Sequence, residues 1–276
     1  MKKLIGTEEI DLALTLVESA QSFVWTEAGG AHGAVLDDCP VWLWSEDGGV
    51  WCEGCDAAKM RAYLDLGRDY AKIAAEYERF ARATAAMAMY PGLRLLNQPP
   101  WETLAAFIIS ANNNVGRIRA IVGRLMQTYG DRYDTARGPL FSFPSPARLA
   151  ACSEDELRAL GMGYRDKYLI RTARAVADGF RLDELRAMDY ETAHKALTGL
   201  MGVGDKVADC VQLFGCGHTE AYPVDVWIAR ITKSVFGIDT ENRKLLGARA
   251  RALLGKNAGI LQQFLFHAAR TGAMEV

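Results

Sequence analysis

Apolar residues along this chain follow two different periods, and the change from one to the other limits the folds open to it. Early on the runs are short, aromatic and β-branched. Gln21-Ser22-Phe23-Val24-Trp25 stops at Gly29-Gly30, and Val41-Trp42-Leu43-Trp44 runs into Glu46-Asp47-Gly48-Gly49 and resumes at Val50-Trp51-Cys52. The second pair reads as a hairpin closed by a glycine-containing turn, and together these runs predict a small antiparallel sheet. Four of the six tryptophans lie between 25 and 51, where packing into a core accounts for most of them. From Asp69 the period lengthens: Tyr70, Ile73, Ala74, Tyr77 and Phe80 fall on one helical stripe that Pro91-Gly92 ends. Beyond it, helices are expected at about 101–111, 114–129, 154–160, 164–179, 190–200, 205–214, 225–236, 241–253 and 257–271. The chain is therefore read as α+β, with a sheet domain carrying a helix at 1–90 and an all-α domain at 91–276.

At 276 residues, half of them apolar and 24% charged, the sequence has the composition of a water-soluble globular protein. No stretch approaches the roughly 20 apolar residues of a membrane span, and Glu8, Glu9 and Asp11 interrupt the N-terminus before a signal-peptide core can form. The expected location is the cytoplasm, at the nucleoid in a bacterium, or the nucleus. Six thinly spread cysteines suit reduced thiols. Cys52-Glu53-Gly54-Cys55 has the spacing of half a zinc site, but the four histidines are scattered and no second pair stands at a matching distance. A turn with two free thiols is the plainer reading, and no metal is expected.

The net charge of −2 hides an asymmetry. Residues 1–90 hold 8 basic against 15 acidic residues, and 91–276 hold 24 against 19. The later part is the one able to face a polyanion, although the excess is modest and a mixed, solvated surface explains it equally well.

The stretch from Leu197 to Phe236 carries the chemistry. Gly202-Val203-Gly204 makes a tight turn between two helices, and the first amides of the helix starting near Asp205 are free to bind a phosphate oxygen. Lys206 stands at that helix start among Val207, Ala208 and Val211, where both the helix dipole and the apolar neighbours favour a neutral, nucleophilic amine. A surface lysine that lays its stem on apolar neighbours is the alternative. Asp225, in Tyr222-Pro223-Val224-Asp225-Val226-Trp227, suits a helix N-cap, a role that also fixes a carboxylate rigidly.

The run G-V-G-D-K-V-A-D-C, followed by P-V-D-V with its aspartate nineteen residues after the lysine, resembles the 8-oxoguanine branch of the helix-hairpin-helix, Gly-Pro-Asp superfamily of DNA glycosylases. The resemblance extends from about residue 10 to 270. It implies a helix-hairpin-helix glycosylase domain behind the small sheet domain, with Lys206 and Asp225 catalytic. Asn112, in Ser110-Ala111-Asn112-Asn113-Asn114-Val115-Gly116-Arg117-Ile118, is implied to fill the gap left by an extruded base, and Arg117 to read the orphaned cytosine. Tyr164 and Arg165, in Gly161-Met162-Gly163-Tyr164-Arg165, are implied as a wedge and a second cytosine contact, with Gly202 and Gly204 on the DNA backbone. Ala20, Phe23, Cys210, Gln262 and Phe266 are implied to form the base pocket, Gln262 on the Watson–Crick edge and Phe266 stacked on the ring.

The same resemblance implies a monomer acting on double-stranded DNA that contains oxidised guanine, by base removal and strand cleavage, with no cofactor. Three positions depart from the family pattern: Ala20 replaces the usual glycine before Gln-Ser-Phe, Trp227 a histidine after the catalytic aspartate, and Met201 a proline before Gly-Val-Gly. Two alternatives stay open at this stage. Related glycosylases act on adenine, thymine glycol or alkylated bases; the first two commonly carry an iron–sulfur cluster, but no cysteine follows Cys216, and the alkylbase enzymes typically lack the lysine. A non-catalytic helix-hairpin-helix DNA-binding protein would explain the glycine turn but not Lys206, Asp225, Gln262 and Phe266 together.

Overall fold

The computed structural model describes residues 2–275. Five antiparallel strands form the N-terminal sheet: β1 (Lys3–Gly6), β2 (Thr26–Ala28), β3 (Ala31–Leu36), β4 (Cys39–Glu46) and β5 (Gly49–Glu53), in the spatial order β1-β5-β4-β3-β2. Two-residue turns close its central hairpins. Asp37 and Asp38 join β3 to β4, and Asp47 with Gly48 joins β4 to β5, all four with positive φ, the backbone that matches the twist of the flanking strands. The expected β4–β5 hairpin is present. Residues 21–25, expected as a strand, instead form a connection in which all five side chains are buried. Strand alternation would leave every second one outside; here the Gln21 side chain itself plays the pairing role, donating to the Arg94 carbonyl at 2.8 Å and accepting from the Leu96 N–H at 3.0 Å.

Three short helices follow: α1 (Ala57–Tyr63), α2 (Tyr70–Glu76) and α3 (Ala81–Met89). The stripe from Tyr70 to Phe80 is not one helix: α2 ends at Glu76, the chain leaves helical geometry at Tyr77 (φ −110°, ψ 12°), and Phe80 (φ −113°, ψ 81°) precedes α3. Asp69 caps α2 by accepting from the Lys72 N–H.

The remaining helices are α4 (Pro100–Ser110), α5 (Val115–Tyr129), α6 (Pro146–Ala150), α7 (Glu154–Ala159), α8 (Asp166–Ala177), α9 (Tyr190–Thr198), α10 (Asp205–Val211), α11 (Val226–Phe236), α12 (Arg243–Leu254) and α13 (Ala258–Arg270). Within this helical part lies a two-stranded hairpin that a purely helical reading omitted, β6 (Arg132–Thr135) with β7 (Gly138–Phe141). It covers the outer face of the sheet: Leu140 packs with Ala31, Val35 and Trp42, and the Trp42 indole donates to Thr135 Oγ1 at 2.9 Å.

α4 is the axis of the molecule, with every residue from Glu102 to Ser110 buried. α10 lies against it, and one hydrophobic cluster runs from Ile5 to Met274 through both parts of the chain. The turn from α9 into α10 needs glycine at position 202. Its φ is +82°, and a Cβ there would stand 2.5 Å from the Cβ of Tyr168.

Candidate active site

Three consequences of local sequence meet at one cavity of about 690 Å³ between the N-terminal part and the helices. The glycine turn ends at Gly204, the N-cap of α10, which places Lys206 in the first turn with its stem half-buried. The extended Pro223-Val224 leads to Asp225, the N-cap of α11, whose carboxylate accepts from the Ile228 N–H at 2.8 Å. α13 brings Gln262 and Phe266 to the same wall, one helical turn apart.

The amine of Lys206 faces α4. Its Nζ lies 4.9 Å from the centroid of Phe107 and 3.4 Å from Ser110 Oγ. Phe107 in turn stacks on Phe214 at 5.5 Å and meets Phe23 edge-on at 5.9 Å, so the nucleophile candidate sits over an aromatic platform. The sequence motifs assign no site role to Phe107 or to Ser110. The usable signal was their i, i+3 spacing on a helix leading into the Asn-rich turn. Cys210, one turn after Lys206, is fully enclosed; burial pushes its thiol up to about 11, partly offset by the charge of Lys206. It is a wall of the cavity and not a reactive thiol.

Gln262 is 4% exposed and donates to the Pro223 carbonyl at 3.1 Å, while its Oε1 has no partner among the described residues. An enclosed amide oxygen without a donor beside an open cavity is a ready acceptor for a ligand N–H. Ala20, Phe23, Asn112, Gly202 and Gly204 also line the cavity, together with Trp227 and Arg243.

Arg117, Tyr164 and Arg165 do not line it. Asn112 is exposed in the left-handed region at φ 49°, a conformation asparagine tolerates, and Tyr164 is exposed beside it, with its hydroxyl 3.5 Å from the Ala111 carbonyl. Arg117 is exposed and donates to the Gly161 carbonyl at 3.2 Å. Arg165, expected as a cytosine contact, is 3% exposed, and its guanidinium donates to the carbonyls of Ala111 at 2.7 Å, Asn112 at 2.7 Å and Met162 at 3.0 Å. It joins the Asn112 turn to the Tyr164 turn, and its place here is that of a brace.

A second cavity, also near 690 Å³, opens on the other side of Lys206 and is bordered by Lys195, Lys244 and Arg251. Asp209 lies at its base, pushed up to about 7 by burial, and accepts from the Tyr190 hydroxyl at 2.5 Å. Among the described residues no cluster of three His, Cys, Asp or Glu is arranged to hold a metal.

Residues 105–255 match the model of the HhH-GPD superfamily base excision DNA repair proteins, and residues 3–104 that of the 8-oxoguanine DNA glycosylase N-terminal domain. The chain belongs to the 8-oxoguanine glycosylase branch of the HhH-GPD superfamily. A probable N-glycosylase/DNA lyase of Methanothermobacter thermautotrophicus is 31% identical over all of this chain and 98% of its own length. The N-glycosylase/DNA lyase OGG1 of Arabidopsis thaliana is 31% identical over 96% of this chain and 78% of its own. Among solved structures, the Clostridium acetobutylicum 8-oxoguanine glycosylase/lyase, in complex with double-stranded DNA containing cytosine opposite 8-oxoguanine, superimposes with a TM-score of 0.89 at 27% identity, covering 97% of this chain and 94% of that one. The sheet followed by a helical body is thus the architecture of this branch of HhH-GPD glycosylases, which are N-glycosylase/DNA lyases.

Proposed function

We propose that this enzyme excises 8-oxoguanine from duplex DNA, preferentially opposite cytosine, and then cleaves the strand through a covalent imine on Lys206. The observation that carries the reading is the shared wall: Lys206, Asp225, Gln262 and Phe266 border one cavity whose volume, about 690 Å³, admits a purine nucleoside. Stacking shields a base inside the duplex, so the lesion has to swing out, with Asn112 and Tyr164 filling the space behind it. Gln262 Oε1 then accepts from the Watson–Crick edge while Phe266 stacks on the ring.

Lys206 Nζ attacks the anomeric carbon as the glycosidic bond breaks, and the electron pair of that bond leaves with the base. The Asp225 carboxylate, held by the α11 cap, stabilises positive charge on the sugar. Loss of a proton from the amine and ring opening give the imine, whose electron-withdrawing C=N allows β-elimination of the 3′ phosphate. Oxidation gives the base a hydrogen at N7, which the Ala20 carbonyl accepts. One such contact is worth roughly 1–3 kcal/mol, or about 5- to 150-fold in selectivity over guanine. The partner is double-stranded DNA carrying oxidised guanine, bound by a monomer.

Duplexes carrying 8-oxoguanine opposite each of the four bases test this. Fastest excision is expected opposite cytosine, and equal cutting opposite all four would contradict the opposite-base reading.

A further inference from the structure

Ala20 adopts φ 59° on the cavity wall, in a left-handed region that costs a residue with a Cβ about 1 kcal/mol. The residues before it form a π-helical turn, Leu14–Glu18, and the carbonyls at the end of such a turn need partners from elsewhere. Three side chains take three consecutive carbonyls. Arg119 on α5 donates to Val17, Arg270 on α13 to Glu18, and Gln263 on α13 to Ser19 at 2.9 Å. On the far flank the Gln21 amide donates to Ser19 Oγ at 3.0 Å and to the Arg94 carbonyl. Both neighbours of Ala20 are therefore held, whereas its own carbonyl accepts no hydrogen bond among the described residues.

The two arginines make this a costly arrangement. Burial lowers both guanidiniums from their usual range; the charge of Arg270 lowers Arg119 further, while that of Glu18 partly offsets the fall for Arg270, and both donate to backbone carbonyls. Two half-buried cations side by side exceed what anchoring a surface turn requires. Their common effect is on the backbone that leads into Ala20.

We propose that Arg119, Gln263 and Arg270 are positioning residues: they clamp the 17–19 carbonyls so that Ala20 keeps its left-handed backbone and offers its carbonyl to the base, which makes them specificity determinants for oxidised guanine. This deepens the substrate reading above and rests on it. The need for a clamp follows from the departure at position 20. Glycine enters the left-handed region without penalty, whereas alanine has to be held there.

The test is a double-mutant cycle between Arg270→Met and Ala20→Gly. Arg270→Met is expected to lower kcat/KM for 8-oxoguanine opposite cytosine by about 5- to 30-fold, the value of one hydrogen bond partly lost. Incision of a preformed abasic site, which offers no base to read, falls much less. In the Ala20→Gly background the further loss caused by Arg270→Met is expected to be much smaller than in the parent, with Ala20→Gly alone as the reference of the cycle, so that glycine rescues most of the effect. Equal falls in both reactions, or no rescue by glycine, would overturn the clamp. Arg119→Gln carries the same cycle should Arg270→Met fail to fold. If the unsubstituted protein excised no 8-oxoguanine, the substrate reading would be lost, and thermal melting would still decide the clamp: Ala20→Gly has to raise the Tm of Arg270→Met more than that of the parent.

Discussion

Lys206 Nζ stands 4.9 Å from the centroid of Phe107, a ring from a helix almost a hundred residues earlier in the chain. The contact joins α10 to α4 and aims the amine into the cavity from an apolar floor, with Ser110 Oγ as its polar neighbour at 3.4 Å. Replacing the ring with an aliphatic side chain removes the platform without adding a polar group. Phe107→Leu is expected to slow single-turnover excision by up to about 10²-fold, the cost of a misaimed reacting group, and an unchanged rate would show that the ring does not orient the amine.

Asp225 caps α11, and the proposed mechanism gives its carboxylate a second role that substitution can separate from the first. Asparagine caps a helix about as well as aspartate but carries no charge. Asp225→Asn is expected to melt close to the parent while losing roughly 10²- to 10³-fold in excision, the cost of removing one charge-stabilising group. Asp225→Ala should in addition lose about 1 kcal/mol of stability with the cap. Full activity in Asp225→Asn would remove the carboxylate from the mechanism.

Arg165 and Arg117 are expected to behave differently, although the resemblance assigned both to the orphaned cytosine. Arg165 braces three carbonyls of the two probe turns, so Arg165→Lys is expected to lower excision evenly opposite all four bases. Arg117 is exposed and held by one contact to the Gly161 carbonyl, so Arg117→Gln is expected to flatten the preference for cytosine. Opposite-base profiles of both variants check this; a changed preference in Arg165→Lys with unchanged overall rate would restore it as a reading residue.

Glu102 predicts a pH dependence of stability. It is buried in the first turn of α4, its Oε1 has no partner among the described residues, and burial pushes its carboxyl from 4.5 up to about 8, with a further push from Asp37. The folded state therefore favours the protonated acid. Its contribution is fully present below the unfolded value near 4.5 and is lost as pH rises toward 8, by up to about 1.4 kcal/mol per pH unit. Glu102→Gln should flatten the fall in Tm across that window, and parallel Tm curves for variant and parent would contradict it.

Much of this architecture is legible in the residues. The apolar periods distinguish sheet from helix, and the Gly202-Val203-Gly204 turn with the Pro223 to Asp225 cap places Lys206 and Asp225, the two groups of the proposed mechanism, at helix starts. What stays hidden is tertiary. The Gln21–Trp25 run has strand composition, but it pairs with the backbone at Arg94 and Leu96 through the Gln21 side chain, which no pattern of alternation announces. The β6–β7 hairpin is too short and polar to read as strand until Trp42 and Leu140 are seen to pack together. Phe107 looks like any core residue of a buried helix, and Arg165 like a surface arginine, because only the fold decides whether a guanidinium meets solvent or three carbonyls.

Covalent capture bears most directly on the role of Lys206. With sodium borohydride present, the unsubstituted protein is expected to become irreversibly linked to a duplex carrying 8-oxoguanine opposite cytosine, through reduction of the imine, and Lys206→Gln to show no linked species while still binding the duplex. Undiminished linkage in Lys206→Gln, or none with the unsubstituted protein, would contradict the account.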